Sequence, residues 1–317
     1  MAPLRILTVL AAVVGLVVRG PARMEAQSRT FKSGIEMVPL TVTVTDTTGK
    51  YVTGLTGNDF SVLEDGIGQP LSFFASDEVP VDVALVLDTS ASMHADLSLV
   101  QSAASGLIHQ LRASDRGAVV EVKDTAGIPQ PFTSDQALIT RAIHALSPSG
   151  STALYDGLYV VLREFERERR AAVEVRRQVL VLLSDGLDNT SHIALDEVMD
   201  LARRAGVNIY VIALRGDVAL MRRADMDESM LRAAYVMGAV ARESGGRTFF
   251  PKFARELPAI YTAIAQELAS QYELGYVPAR PGTDGAFRRV AVRVPTRPNA
   301  LARTRSGYYA PHPKAGL

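Results

Sequence analysis

Residues 38–45 alternate, with Val38, Leu40, Val42 and Val44 on one side and Thr41, Thr43 and Thr45 on the other. A period of two in β-branched residues predicts a half-buried strand. Asp46-Thr47-Thr48-Gly49 is a turn cluster. The short apolar segments 60–63 and 71–74 follow, and Glu64-Asp65-Gly66 reads as the hairpin turn between them. Beyond Val79-Pro80 the pattern changes. Val81 to Leu87 is a near-continuous apolar run ending in Asp88, as expected of a strand buried on both faces. Leu97, Val100, Ala104, Leu107, Ile108 and Leu111 then recur at helical spacing. The same reading gives strands at 119–122, 179–183, 207–214 and 247–250, and helices at 137–146, 153–165, 198–205 and 230–241. Leu257, Ile260, Ile264 and Leu268 line one face of a last helix. Strands alternating with helices imply right-handed crossovers and a mostly parallel sheet covered on both faces. Residues 272–277, 287–294 and 303–309 return to strand patterns.

The pattern predicts a doubly wound, mostly parallel α/β sheet joined to a small all-β, sandwich-like module built from both chain ends. The expected parts are a β module at 34–78, an α/β domain at 79–270 and C-terminal strands at 271–310 that pair with the first module. At roughly one domain per 150 residues, the 317 residues fit two domains. Charge agrees with the pairing. Residues 31–80 hold two Lys against seven acidic residues, and residues 277–317 hold seven Arg and one Lys against one Asp.

The first residues read as an address. Arg5 precedes an apolar run from Ile6 to Val18, closed by Arg19. That run is shorter than the roughly 20 residues a membrane-spanning helix needs. With small residues after it, it predicts a secretory signal over 1–26, cut after Ala26. The mature chain is then secreted or periplasmic and carries no membrane span. Lys plus Arg and Asp plus Glu both number 34, which argues against a partner bound through nucleic-acid phosphates. The absence of Cys removes disulfides, thiol catalysis and zinc ribbons.

Three segments carry the candidate chemistry. Asp88-Thr89-Ser90-Ala91-Ser92 follows the first buried strand, Gly150-Ser151-Thr152 opens a helix, and Ser184-Asp185-Gly186 follows another buried strand. In a doubly wound sheet, ligands sit beyond the carboxyl ends of the strands, where strand order reverses. With the order 3-2-1-4-5-6, the strands ending at Asp88 and Asp185 are neighbours there. Two carboxylates and three hydroxyls are hard oxygen donors. They suit Mg²⁺, with Mn²⁺ or Ca²⁺ as alternatives, and disfavour zinc and copper. A shell that the protein leaves incomplete accepts an outside oxygen, and a partner protein's Asp or Glu carboxylate supplies one. Taken singly, Asp88 and Thr152 also read as helix N-caps.

These residues resemble the von Willebrand factor type A domain with its metal-ion-dependent adhesion site. The D-x-S-x-S motif is Asp88, Ser90 and Ser92, the Thr of a later loop is Thr152, and the Asp of a [ST]-D-G segment is Asp185. The resemblance extends from about Val38 to Ala310 to the bacterial VWFA-related Acidobacterial domain proteins. It is carried by G-L-T-G-N-D-F-S-V-L-E-D-G, L-V-L-D-T-S-A-S-M, V-L-L-S-D-G-L-D-N-T-S and I-A-Q-E-L-A-S-Q-Y-E-L-G-Y-V-P. It implies a non-enzymatic adhesion-type module with Asp88, Ser90, Ser92, Thr152 and Asp185 as metal ligands. The chain departs from the pattern at Gly150-Ser151-Thr152, where members often carry Gly-Gly-Thr, and at Val122-Lys123-Asp124, where a Phe-containing loop is usual.

Other features read more plainly. Asp188 reads as a turn residue, and Asp124 and Asp156 near the metal face receive no role. The five histidines form no metal-ligand pair. Residues 163–170 read as a solvated helix face with Glu166 and Arg170 at supportive spacing. A hydrolase using Ser90 or Ser92 lacks both the G-x-S-x-G elbow and a placed His. The expected function is therefore metal-dependent protein binding. The alternative is a structural or assembly component of the cell envelope whose metal only stabilises the loops.

Overall fold

The computed structural model describes residues 37–76, 79–172, 174–184, 188–214, 228–280, 282 and 284–311. The signal expected over 1–26 and the ligand position Asp185 lie outside the described residues.

The N-terminal β run folds as its alternation dictates. In β1 (Val38–Thr45) Leu40, Val42 and Val44 are fully buried. β2 (Ser61–Glu64) turns at Asp65 and Gly66, whose φ values of 47° and 82° are both left-handed, as a tight hairpin requires. The turn is where the pattern puts it, but its second arm is not. β2 pairs with β3 (Ile67–Gln69), and β4 (Leu71–Ala75), beyond Pro70, belongs to a different sheet.

The α/β layer follows in chain order. It comprises β5 (Val81–Asp88), α1 (Leu97–Ile108), β6 (Arg116–Val122), β7 (Ala126–Thr133), α2 (Gln136–Ala145) and α3 (Leu154–Ala171). After these come β8 (Arg177–Ser184), α4 (Leu195–Ala205), β9 (Asn208–Ala213), α5 (Glu228–Ser244), β10 (Thr248–Phe249) and α6 (Leu257–Ala269). The sheet order is β10-β9-β8-β5-β6-β7. Counted within the layer this is the expected 3-2-1-4-5-6 order, parallel except for β7, which runs antiparallel to β6. The pattern does not predict β7, an edge strand carrying Pro129 and Pro131. Side chains of β5 alternate between two cores. Val83, Leu85 and Leu87 pack under α1, α2 and α6, while Ala84 and Val86 pack under α3, α4 and α5. All eight residues of β5 are buried, which explains its continuous apolar run.

The chain then returns to the first module with β11 (Tyr272–Tyr276), β12 (Phe287–Arg293), β13 (Leu301–Arg303) and β14 (Gly307–Tyr309). Two four-stranded antiparallel sheets result, β13-β1-β11-β4 and β14-β12-β2-β3. Leu40, Val42, Val62, Leu274, Tyr276 and Val292 fill the space between them, and Phe60 meets Tyr272 edge-on at 5.1 Å. The expected single strand at 303–309 is in fact two. Between them the Arg305 side chain donates to the Pro39 carbonyl and Ser306 N–H to the Glu243 carbonyl, so the backbone crosses from one sheet to the other.

A polar knot joins sandwich and α/β layer. Glu267 of α6, 1% exposed, accepts hydrogen bonds from Tyr210 Oη (2.6 Å), Thr43 Oγ1 (3.3 Å) and Tyr51 Oη (3.3 Å), and pairs with Arg303. Gln271 Nε2 donates to Tyr210 Oη and Thr43 Oγ1. Burial and the Glu267 charge hold the Tyr210 and Tyr51 hydroxyls above the usual tyrosine range, so both remain donors. A second polar contact joins Arg177 at the start of β8 to Glu273 of β11 at 3.9 Å.

Candidate metal centre

β5 and β8 are parallel neighbours in register at Leu87 and Leu183, so Asp88 and Ser184 emerge side by side at the carboxyl end of the sheet. Asp88 is fully buried. Its Oδ2 accepts from Ser184 Oγ at 2.8 Å and its Oδ1 from Ser90 N at 2.9 Å. Those bonds aim the carboxylate. Ser90 Oγ then lies 3.0 Å from Ser92 Oγ, so the Asp88 carboxylate is tied to the Ser90 backbone and the two serine hydroxyls to each other. Thr89 turns away, its Oγ1 donating toward Glu121 and the Val122 carbonyl.

Thr152 reaches the same end of the sheet through backbone bonds. Ala91 N donates to the Gly150 carbonyl (3.0 Å) and Ser149 N to the Thr89 carbonyl (2.9 Å), lacing the Asp88 loop to the Thr152 loop. Gly150 adopts φ +69°, a conformation that favours glycine. Thr152 is 4% exposed, and its carbonyl accepts from Asn189 N (3.0 Å) and Thr190 N (3.4 Å). Neither N-cap alternative describes the fold. α1 starts after Asp96, and the N-cap position of α3 is Ala153.

The arrangement ties Asp88 to the Ser90 backbone and Ser90 Oγ to Ser92 Oγ, and laces the Thr152 loop to theirs, while Asp185 lies outside the described residues. Among the described residues no three His, Asp or Glu side chains cluster as a metal group. The expected set differs in kind, taking one described carboxylate and three hydroxyls, all hard oxygens that fit a small divalent cation.

Sequence spacing missed three carboxylates here. Asp188, expected to be only a turn residue, accepts from Leu154 N (2.8 Å) and Tyr155 N (3.3 Å) at the start of α3. Asp156 accepts from His192 N (3.0 Å) and Ile193 N (2.9 Å), and Asp124 from Ser151 N (2.7 Å). Asp124 and Asp188 stand just beyond the buried strands β6 and β8 and Asp156 in the first turn of α3, but each bond spans 27 to 37 residues and has no local spacing.

The family model for the von Willebrand factor type A domain matches residues 82–245, which runs from the second residue of β5 to just past α5 and contains every expected ligand. An uncharacterized protein of Borreliella burgdorferi is 29% identical over 143 residues, covering 42% of this chain and 40% of that protein. The match thus spans about two fifths of that relative. Among solved structures, a von Willebrand factor type A protein from Catenulispora acidiphila is 14% identical, with a TM-score of 0.49 over 90% of this chain and 76% of that one. Proximal thread matrix protein 1 from the mussel byssus, with a zinc occupied MIDAS motif, is 21% identical, with a TM-score of 0.47 over 65% of this chain and 49% of that one. Those likenesses are too distant to carry an argument, and the assignment stands on the family match together with the strand order. The chain belongs to the von Willebrand factor type A domain family.

Proposed function

We propose that this chain is an exported, non-enzymatic protein-binding module of the VWFA-related Acidobacterial type. It works through a divalent cation held by Asp88, Ser90, Ser92, Thr152 and Asp185. The observation that carries this is a fully buried carboxylate, Asp88, aimed by Ser90 N and Ser184 Oγ at the ends of two adjacent central strands, with the Ser90 and Ser92 hydroxyls 3.0 Å apart on the same loop. Domains of this family commonly mediate protein interaction and metal-dependent binding. A bound Mg²⁺ supplies an open coordination position for a partner's Asp or Glu carboxylate. The hard-oxygen donors favour Mg²⁺, with Mn²⁺ and Ca²⁺ next. Export is supported by the basic start and apolar run of the first 26 residues. Among the described residues no helix is long and apolar enough to cross a membrane.

Calorimetric titration of Mg²⁺ and Mn²⁺ into chelated protein tests the site. Saturable binding to wild type and none to a folded Asp88→Ala variant is expected. Failure of the wild type to bind either ion overturns the site. A pull-down with and without EDTA tests the function, and partner capture indifferent to EDTA refutes it.

A further inference from the structure

Resting on the metal-site reading above, we propose that Asp188 is a positioning residue for that site. Its carboxylate holds the start of α3 so that the Thr152 hydroxyl is in place before any cation arrives.

The start of α3 needs an outside partner. An α-helix leaves its first N–H groups without intrahelical acceptors. Here the N-cap position is Ala153, whose side chain accepts nothing. Asp188 Oδ1 fills that role from another loop, accepting from Leu154 N at 2.8 Å and Tyr155 N at 3.3 Å. A negative charge at this end of a helix is also favoured by the helix dipole. The Ser191 hydroxyl donates to the same Oδ1 at 2.5 Å and accepts from Asp156 N at 3.1 Å.

The tie runs both ways. Asp156, in the first turn of α3, accepts from His192 N and Ile193 N. The Thr152 carbonyl accepts from Asn189 N (3.0 Å) and Thr190 N (3.4 Å). Backbone 152–156 and backbone 188–193 therefore hold each other through side chains on both. On the opposite side Asp124 holds Ser151 N, and the Lys123 carbonyl accepts from Ala153 N at 2.8 Å. Residues 151, 153, 154 and 155 are each fixed by their N–H, and 152 by its carbonyl. The residue held in this way, Thr152, carries a hydroxyl expected to bind metal. All these bonds run from protein to protein and require nothing from a cation. Outer-shell partners of this kind usually govern metal affinity by ten- to a hundredfold. The positioning role also separates the two functions the sequence allows. A metal kept only to stiffen loops has little to do where Asp188, Asp156 and Asp124 already stiffen them.

The test compares wild type, Asp188→Ala, Asp188→Asn and Ser191→Ala by Mg²⁺ titration calorimetry and by amide hydrogen exchange at Leu154 and Tyr155. Asn keeps an acceptor oxygen at the Oδ1 position, so it should rescue, which a pure charge effect would not allow. Asp188→Ala should bind Mg²⁺ about ten- to a hundredfold more weakly, and its Leu154 and Tyr155 amides should exchange faster with and without metal. Asp188→Asn should stay close to wild type in both. Ser191→Ala should move in the same direction as Asp188→Ala, by less, and replaces it as the test variant if that protein does not fold. Wild-type affinity in Asp188→Ala, or equal losses in Asp188→Ala and Asp188→Asn, overturns the positioning role. If wild type binds no metal, the metal-site reading fails by itself. The hold on α3 is then judged by exchange alone, and unchanged protection in Asp188→Ala overturns it.

Discussion

Replacing Glu267 by Ala should cost more stability than removing any other single side chain of the polar knot. The side chain is 1% exposed and serves four groups from both layers. Removing one member of a buried ion pair costs about 3–5 kcal/mol. Arg303 is 32% exposed, so water recovers part of that loss and the lower end, about 3 kcal/mol, applies. Tyr210 is fully buried. Its hydroxyl proton would lose its acceptor, at about 1–3 kcal/mol. Together these give about 4–6 kcal/mol, and at about 2–4 °C per kcal/mol for a chain this size the expected fall in Tm is about 8–24 °C. Glu267→Gln retains an oxygen for Tyr210 but loses the charge facing Arg303, and should cost about half as much. Differential scanning calorimetry of the three proteins, with far-UV circular dichroism to check the fold, measures this. A fall below about 3 °C in Glu267→Ala would mean that the junction is held by its apolar contacts and that the knot is incidental.

Two further predictions concern single positions. An added Cβ at Gly150 would lie 2.0 Å from Asp124 Oδ2, so Gly150→Ala must strain a left-handed backbone and displace the acceptor of Ser151 N. Denaturant unfolding should show a loss of about 2–3 kcal/mol together with weaker Mg²⁺ binding, and wild-type values in both would refute the clash. Burial, opposed by Arg177, pushes the Glu273 carboxyl up to about 7 from its ordinary 4.5. The folded state thus holds a proton that the unfolded chain has already released. Its stability is fully present below the ordinary glutamate range and falls as pH rises through about 7, by about 3 kcal/mol in all. Glu273→Gln should flatten that decline in melting profiles across pH and be the more stable protein above it. An unchanged slope would place the titration elsewhere.

How much of this was legible in the sequence depended on whether the physical cause was local. β5 and β8 are buried on both faces, so their apolar runs are unbroken and readable, and the acidic and hydroxyl residues just beyond them mark the site. β7 has one exposed edge and two prolines, so neither alternation nor apolar content marks it as a strand. The split of 303–309 depends on where Arg305 and Ser306 find acceptors, at Pro39 and Glu243, which no spacing within the segment encodes. Asp188 looks like any turn Asp because the helix it caps begins 34 residues earlier. Glu267 did leave a trace. It continues the buried face set by Leu257 and Ile264, where a carboxylate signals a partnered polar group.

The pairing of the first strand with the last ones has a consequence for how the protein is made. Val42 of β1 finds Tyr272 and Thr43 finds Arg303. A growing chain therefore presents β1, with alternate Leu and Val side chains and unbonded edges, long before its partners exist. The α/β layer is contiguous and can close as it emerges, but β1 must be sheltered until synthesis is finished. Such a waiting strand is prone to join a neighbouring chain. A break near residue 270 would turn this delay into a permanent state. The remaining piece would keep every described candidate ligand and lose both neighbours of β1, so truncated forms of this protein should precipitate with the α/β layer still folded.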